Sequence, residues 1–160
     1  VVDTDRRHDG SVSNFEQPLP PPRTTALSAN DAGQFVSYLG LGFTRVEKDA
    51  VVASWTARPE LHQPYGIVHG GAHCAVVETL ASVGAATWLG GSGKVVGVNN
   101  NTDFYRAVSE GELVSTATPL HRGRLQQVWM VETHDADGRL VSRGQVRLQN
   151  LADDASRPNP

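Results

Sequence analysis

The chain has 160 residues, with 14 Lys and Arg against 17 Asp and Glu and a net charge of -3 at pH 7: enough for one domain with a full core, too little for two comfortable ones. That small, mixed charge gives no reason to expect nucleic acid or an anionic membrane as a partner. The single cysteine, Cys74, excludes an intrachain disulfide, and no signal-peptide core stands near the N-terminus, so a reducing, cytoplasmic setting is expected.

Residues 1–30 are polar and carry Pro18 and the run Pro20-Pro21-Pro22, which reads as a flexible arm that buries too little to offset its ordering entropy. The domain is expected over residues 31–150, with a polar tail over 151–160. Asp31 can cap a short helix running to Leu39, with Phe35, Val36 and Leu39 as its apolar face, broken by Gly40 and Gly42. Phe43–Lys48 and Val51–Ala57 form a predicted hairpin, with Trp55 facing the core and Arg58-Pro59 ending the second strand. A loop from Glu60 to Val68 then leads into a long helix that Gly90-Gly91-Ser92-Gly93 closes.

Beyond the helix the pattern changes to period two. Val95–Tyr105, Glu112–His121, Gln126–His134 and Leu140–Gln149 are predicted strands, joined as a meander through turns that include Asp135-Ala-Asp-Gly138. The fold class is therefore α+β, a six-stranded antiparallel sheet curved around one long central helix.

The helix holds the most informative stretch. From Leu61 to Gly93 Glu78 is the one formally charged side chain, set among Ala72, Cys74, Ala75, Val76, Val77, Leu80 and Ala81. Apolar residues occupy every face at a period of 3.6, so the helix is expected to be wrapped on nearly all sides. A carboxylate there loses hydration, which is costly unless a donor or cation compensates.

Three features resemble the hotdog-fold acyl-CoA thioesterases: the string Gly66-Ile-Val-His69-Gly70-Gly71, with Gln63 six residues before the His; Glu78, nine residues after it; and Asn-Thr-Asp-Phe-Tyr-Arg106 in the next strand. The chain looks most like the phenylacetyl-CoA and Arthrobacter-type 4-hydroxybenzoyl-CoA branch, over about Phe35 to Leu148. The resemblance implies a homodimer, often paired into tetramers, with sites at the subunit interface. It implies no cofactor, coenzyme A entering as part of the substrate. By the same likeness Gln63 matches a loop amide near the thioester, His69 the motif histidine, Gly70 the backbone N–H donor and Glu78 the catalytic carboxylate. Ser82 falls where relatives carry Ser or Thr. The run Asn99-Asn100-Asn101 departs from the pattern by being unusually polar.

The residues themselves add chemistry. The first N–H groups of a helix lack intrahelical partners and sit at the positive end of its dipole, so a start near Gly70 places a donor for an oxyanion. Absent side chains at Gly70 and Gly71 let a substrate approach closely; the alternative is that these glycines serve only a tight turn. Glu78 lies eight residues beyond Gly70, roughly 12 Å along the axis. One carbonyl cannot easily touch both in the same helix, whereas two antiparallel copies can bring Glu78 of one to Gly70 of the other. Ser82, at i+4 from Glu78, either orients that carboxylate or holds water, or bonds back to the carbonyl of residue 78. His69 and His73 share a spacing that can hold zinc, but Gly70 stands where the zinc-protease pattern requires Glu. Arg106, Arg122 and Arg124 are candidates for the phosphates of coenzyme A, or else solvated turn arginines. Tyr65, Trp88 and Phe104 are candidates for the acyl pocket. The expected activity is hydrolysis of an aromatic or medium-chain acyl-CoA. A hotdog dehydratase and a non-catalytic acyl-CoA-binding module are the alternatives.

Overall fold

The computed structural model describes residues 33–152, so the predicted arm over 1–30, the cap at Asp31 and residues 153–160 lie outside the described residues. The element order is α1 (Gln34–Leu39), β1 (Gly42–Val46), β2 (Val51–Ala57), a 3-10 turn (Pro59–Leu61), α2 (Gly70–Leu89), β3 (Gly93–Phe104), β4 (Gly111–Arg122), β5 (Gln126–Asp135) and β6 (Leu140–Ala152). The six strands form one antiparallel sheet in the order β1-β2-β4-β5-β6-β3, with α2 packed on it. This is the hotdog architecture.

Local chemistry sets the boundaries. At the start of α2, Nδ1 of His69 accepts the Gly71 N–H at 2.8 Å, and at its end Gly90 turns left-handed (φ 63°) while its N–H reaches Ala86 O. Alanines fill much of the interval, so helix propensity agrees with the tertiary fold. The β5–β6 turn is held by Asp135, whose Oδ1 accepts the N–H groups of Asp137 and Arg139, with Gly138 at φ 76°.

Two sequence expectations change. The four later strands are not one meander: β4, β5 and β6 are, but β3 pairs with β6 along Gly93–Phe104 and lies at the sheet's outer edge. The reason is that β2 already offers its free side to β4, through Val51–Ala57 against Gly111–Ala117. The strand delivered by the crossing helix must therefore join the far side. In α1, Leu39 is buried and Val36 half-buried, whereas Phe35 is 63% exposed, so the apolar face is narrower than predicted.

The core lies between α2 and the inner face of the sheet. Val76, Val77, Leu80 and Ala81 meet Trp55, Trp129, Val131 and Val146, all nearly or fully buried. Gly84 lets the Trp129 indole lie against the helix, since a Cβ there would stand 2.6 Å from Cζ3. The buried indole N–H groups are both satisfied: Trp55 donates to Ser115 Oγ, and Trp129 to Gln127 Oε1, each at 3.0 Å. One flank of α2 is left half-exposed by the sheet, at Cys74, Ala75, Glu78, Thr79 and Ser82. Within the single chain the wrapping is therefore incomplete on the side where the carboxylate sits.

Candidate active site

The loop before α2 is built from backbone bonds. Gln63 N–H donates to Ile67 O and its carbonyl accepts from Gly66, which is left-handed at φ 74°. Val68 N–H reaches Val108 O and His69 N–H reaches Leu61 O, each at 2.8 Å. With its main chain fixed on both sides, Gln63 keeps a side-chain amide that has no hydrogen-bond partner among the described residues. Loop geometry therefore does not consume it.

At the helix start the donors divide. The Gly71 N–H is taken by His69 Nδ1, while the Gly70 N–H has no partner among the described residues. Because Nδ1 is an acceptor here, the neutral ring of exposed His69 carries its proton on Nε2. Phe104, from the end of β3, lays its ring over Gly70: a Cβ on that glycine would lie 3.0 Å from Cζ. The amide is thus flanked by an apolar wall, and the absence of a side chain at Gly70 is what lets the ring approach.

Glu78 sits on the half-exposed flank of α2, facing β3. Its Oε2 accepts a hydrogen bond from Asn100 Nδ2 at 3.0 Å, and its Oε1 lies against Gly97, where a Cβ would stand only 3.1 Å from the carboxyl carbon. The donor that the carboxylate finds among the described residues is therefore an amide rather than a cation. Asn100 was legible in the sequence as an anomaly of polarity but not as a partner of the carboxylate. Ser82 makes no hydrogen bond among the described residues, in contrast to Thr79 and Thr87, which bond back to Ala75 O and Val83 O at 2.7 Å. Its hydroxyl is not spent on the helix backbone.

The arginines do not cluster. Arg106 follows β3 at the Gly70 end of the molecule, where its N–H reaches Val141 O. Arg122 and Arg124 flank the β4–β5 turn, at the opposite end. Arg122 is already engaged, donating to Lys48 O and Asp49 Oδ1 at 2.8 Å with its guanidinium 5.7 Å from the centre of the Trp88 ring. Arg124 is exposed. Trp88 stands about 27 Å along the helix from Gly70, and Tyr65 is 88% exposed. Of the three aromatic candidates, Phe104 lies over the helix start, against Gly70.

His73 is not paired with His69 around a common point. It is buried, with Trp55 edge-on at 5.4 Å, Phe104 at 5.9 Å and Ser142 Oγ 3.3 Å from Nδ1. Burial holds its pKa down to about 4, against an ordinary 6.5. Above pH 6.5 both folded and unfolded chains carry this ring neutral, so it adds nothing to pH dependence. Between 6.5 and 4 the unfolded chain binds a proton that the folded one refuses, so stability falls as the pH drops, by about 3 kcal/mol in all. His73→Gln is expected to flatten that part of a denaturant-derived stability profile; equal slopes for the two proteins would contradict this origin. Among the described residues no helix is long and apolar enough to cross a membrane.

Comparison with known proteins places this geometry. Residues 65–142 match the sequence profile of the Thioesterase superfamily. Rv1847 of Mycobacterium tuberculosis, provisionally assigned as an esterase, is 54% identical over 136 residues, which is 83% of this chain and 97% of that protein. The 1,4-dihydroxy-2-naphthoyl-CoA hydrolase of Escherichia coli is 35% identical over 115 residues, 72% of this chain and 85% of its own. The crystal structure of S. sahachiroi AziG matches with a TM-score of 0.75 at 57% identity, covering 76% of this chain and 99% of that one. Agreement of profile, sequence and fold over nearly the full length of these relatives means that this chain belongs to the thioesterase superfamily and is a hotdog-fold thioester hydrolase.

Proposed function

We propose that the chain hydrolyses an acyl-CoA bearing an aromatic acyl group, releasing the free acid and coenzyme A, at sites shared between two copies. The observation that carries this reading is the braced carboxylate of Glu78 together with the unclaimed N–H of Gly70. These are the two groups that thioester hydrolysis needs. Glu78 removes a proton from water as the oxygen adds to the carbonyl, or adds to it directly and forms a mixed anhydride that water then opens. Either way the carbon–sulfur bond breaks, the thiol of coenzyme A leaves and the carboxylate is regenerated. Gly70 N–H receives the developing oxyanion, aided by the Gln63 amide and the His69 Nε2–H, and the Ser82 hydroxyl serves the water. No cofactor enters this scheme, coenzyme A being part of the substrate.

The shared site follows from reach. Gly70 and Glu78 stand roughly 12 Å apart along one helix, too far for a single carbonyl. The outer edge of β3, unpaired among the described residues, offers twelve residues of strand for a second copy, with Val96, Val98, Phe104 and the adjacent Tyr105 each substantially exposed. Antiparallel pairing there brings Glu78 of one protomer toward Gly70 of the other. The Phe104 wall beside Gly70, the aromatic acyl group named for the E. coli relative and the likeness to the phenylacetyl-CoA branch support an aryl substrate. The bare Gly71 leaves room for the His69 ring, whose Nδ1 would stand 2.9 Å from a Cβ there, and exposed Tyr65 is offered to the acyl group. Arg106 and Arg124 are the exposed guanidinium groups offered to the phosphates.

A panel of aryl-CoA and straight-chain acyl-CoA esters, followed by free-thiol release, tests the reading. Aryl esters are expected to turn over with kcat/KM at least about tenfold above the fatty series, a difference of roughly 1.4 kcal/mol in the transition state. A medium-chain preference would overturn the acyl assignment, and tight binding with no thiol release would point to the binding-module alternative.

A further inference from the structure

We infer that Asn100, oriented by Thr102, is a positioning residue for the reactive carboxylate, and that Gly97 supplies the space in which the free oxygen of that carboxylate sits. The inference rests on the reading of Glu78 given above. Its starting point is the backbone of β3. Pairing with β6 slips by one residue between Gly97 and Asn99, so Val98 is an inserted residue. Upstream of the slip, Gly97 opposes Leu148; downstream, Asn100 opposes Val146 and Thr102 opposes Gly144. Leu148 and Val146 are buried core residues, so Gly97 and Asn100 share the inner face although three positions separate them. Regular alternation would have put them on opposite faces.

Once turned inward, Asn100 braces the helix at two points one turn apart. Its Nδ2 donates to Glu78 Oε2 at 3.0 Å and to the Cys74 carbonyl at 3.1 Å. Its Oδ1 accepts the Thr102 hydroxyl at 2.7 Å. The arrangement selects one orientation of an otherwise nearly symmetric amide. Flipped, the carbonyl oxygen would face the carboxylate and the Cys74 carbonyl, two acceptors with no proton to share. The carboxylate is thereby held by one oxygen, while Oε1 lies against the bare backbone of Gly97 and has no hydrogen-bond partner among the described residues. That leaves Oε1 as the oxygen available to water or thioester.

Asn100→Leu, close in volume, removes the donor. It is expected to lower kcat about tenfold to a hundredfold with KM within twofold and the melting temperature little changed. Thr102→Val, which deletes only the hydroxyl, is expected to cost about threefold to tenfold in kcat, and Thr102→Ser to restore it. In a Glu78→Gln background Asn100→Leu should have no further effect on residual turnover. The inference is overturned if Asn100→Leu keeps kcat within twofold, if the loss falls on KM instead, or if Thr102→Ser behaves like Thr102→Val. Should Asn100→Leu fail to fold, the Thr102 pair decides alone. Full activity in Glu78→Gln would sink the functional reading itself, whereas an inactive Glu78→Gln beside a fully active Asn100→Leu would sink only this inference.

Discussion

Glu78→Gln is expected to lose at least about a hundredfold in kcat while binding acyl-CoA almost as the parent does. The substitution is close to a pure change of chemistry. Gln has the size and helix propensity of Glu, and its side-chain oxygen can still accept from Asn100, so no buried donor is orphaned. What disappears is the capacity to take a proton or to attack as an anion. Thiol release under saturating substrate, with calorimetric binding of a non-hydrolysable analogue as control, reads the two effects separately. A variant that keeps more than a tenth of the parental rate would show that the carboxylate is not central to the reaction.

The second large effect belongs to a main-chain atom, which ordinary substitutions leave in place. Gly70 is the first residue of α2, and that position tolerates proline because its N–H has no intrahelical acceptor. The preceding residue, His69, already has φ -66° and ψ 136°, the extended region that proline demands of its neighbour. Gly70→Pro therefore deletes the proposed oxyanion donor with the helix kept, and is expected to cost about a hundredfold to a thousandfold in kcat. Gly70→Ala is the matched control: it retains the N–H and presents the same Cβ to Phe104, 3.0 Å from Cζ. If the two variants lose activity equally, crowding of Phe104 is the cause and the amide has no special role.

Much of this geometry was written in the sequence because punctuation and periodicity coincide. His69-Gly70-Gly71 and Gly90 bracket α2 where glycine and a capping side chain are physically required, and β2 runs over the predicted Val51–Ala57. The position of β3 was not legible, since strand pattern records which residues alternate and not which neighbour accepts their hydrogen bonds. The separation of Arg106 from Arg122 and Arg124 was not legible for a related reason: strand ends occur at both ends of a sheet, and proximity to a turn does not say which. Asn100 was hidden by the slip at Val98, which breaks the period-two rule that sequence reading relies on. Phe35 was assigned to an apolar face on spacing alone, but α1 is only six residues long and touches little of the core.

The irregularity in β3 makes residue count a determinant of chemistry there. Excision of Val98 would leave the composition of the strand almost untouched and even make its ladder more regular. It would also keep Gly97 opposite Leu148 and Asn100 opposite Val146, so Asn100, Thr102 and Phe104 would stay on the inner face. Drawing Val98 into a regular ladder without excision would instead put Asn99 opposite Val146 and turn all three outward, taking away the carboxylate's donor, that donor's own brace and the ring over the helix start together. Point substitutions in this segment therefore test single contacts, whereas a change of register that the slip does not absorb exchanges one surface of the ribbon for the other.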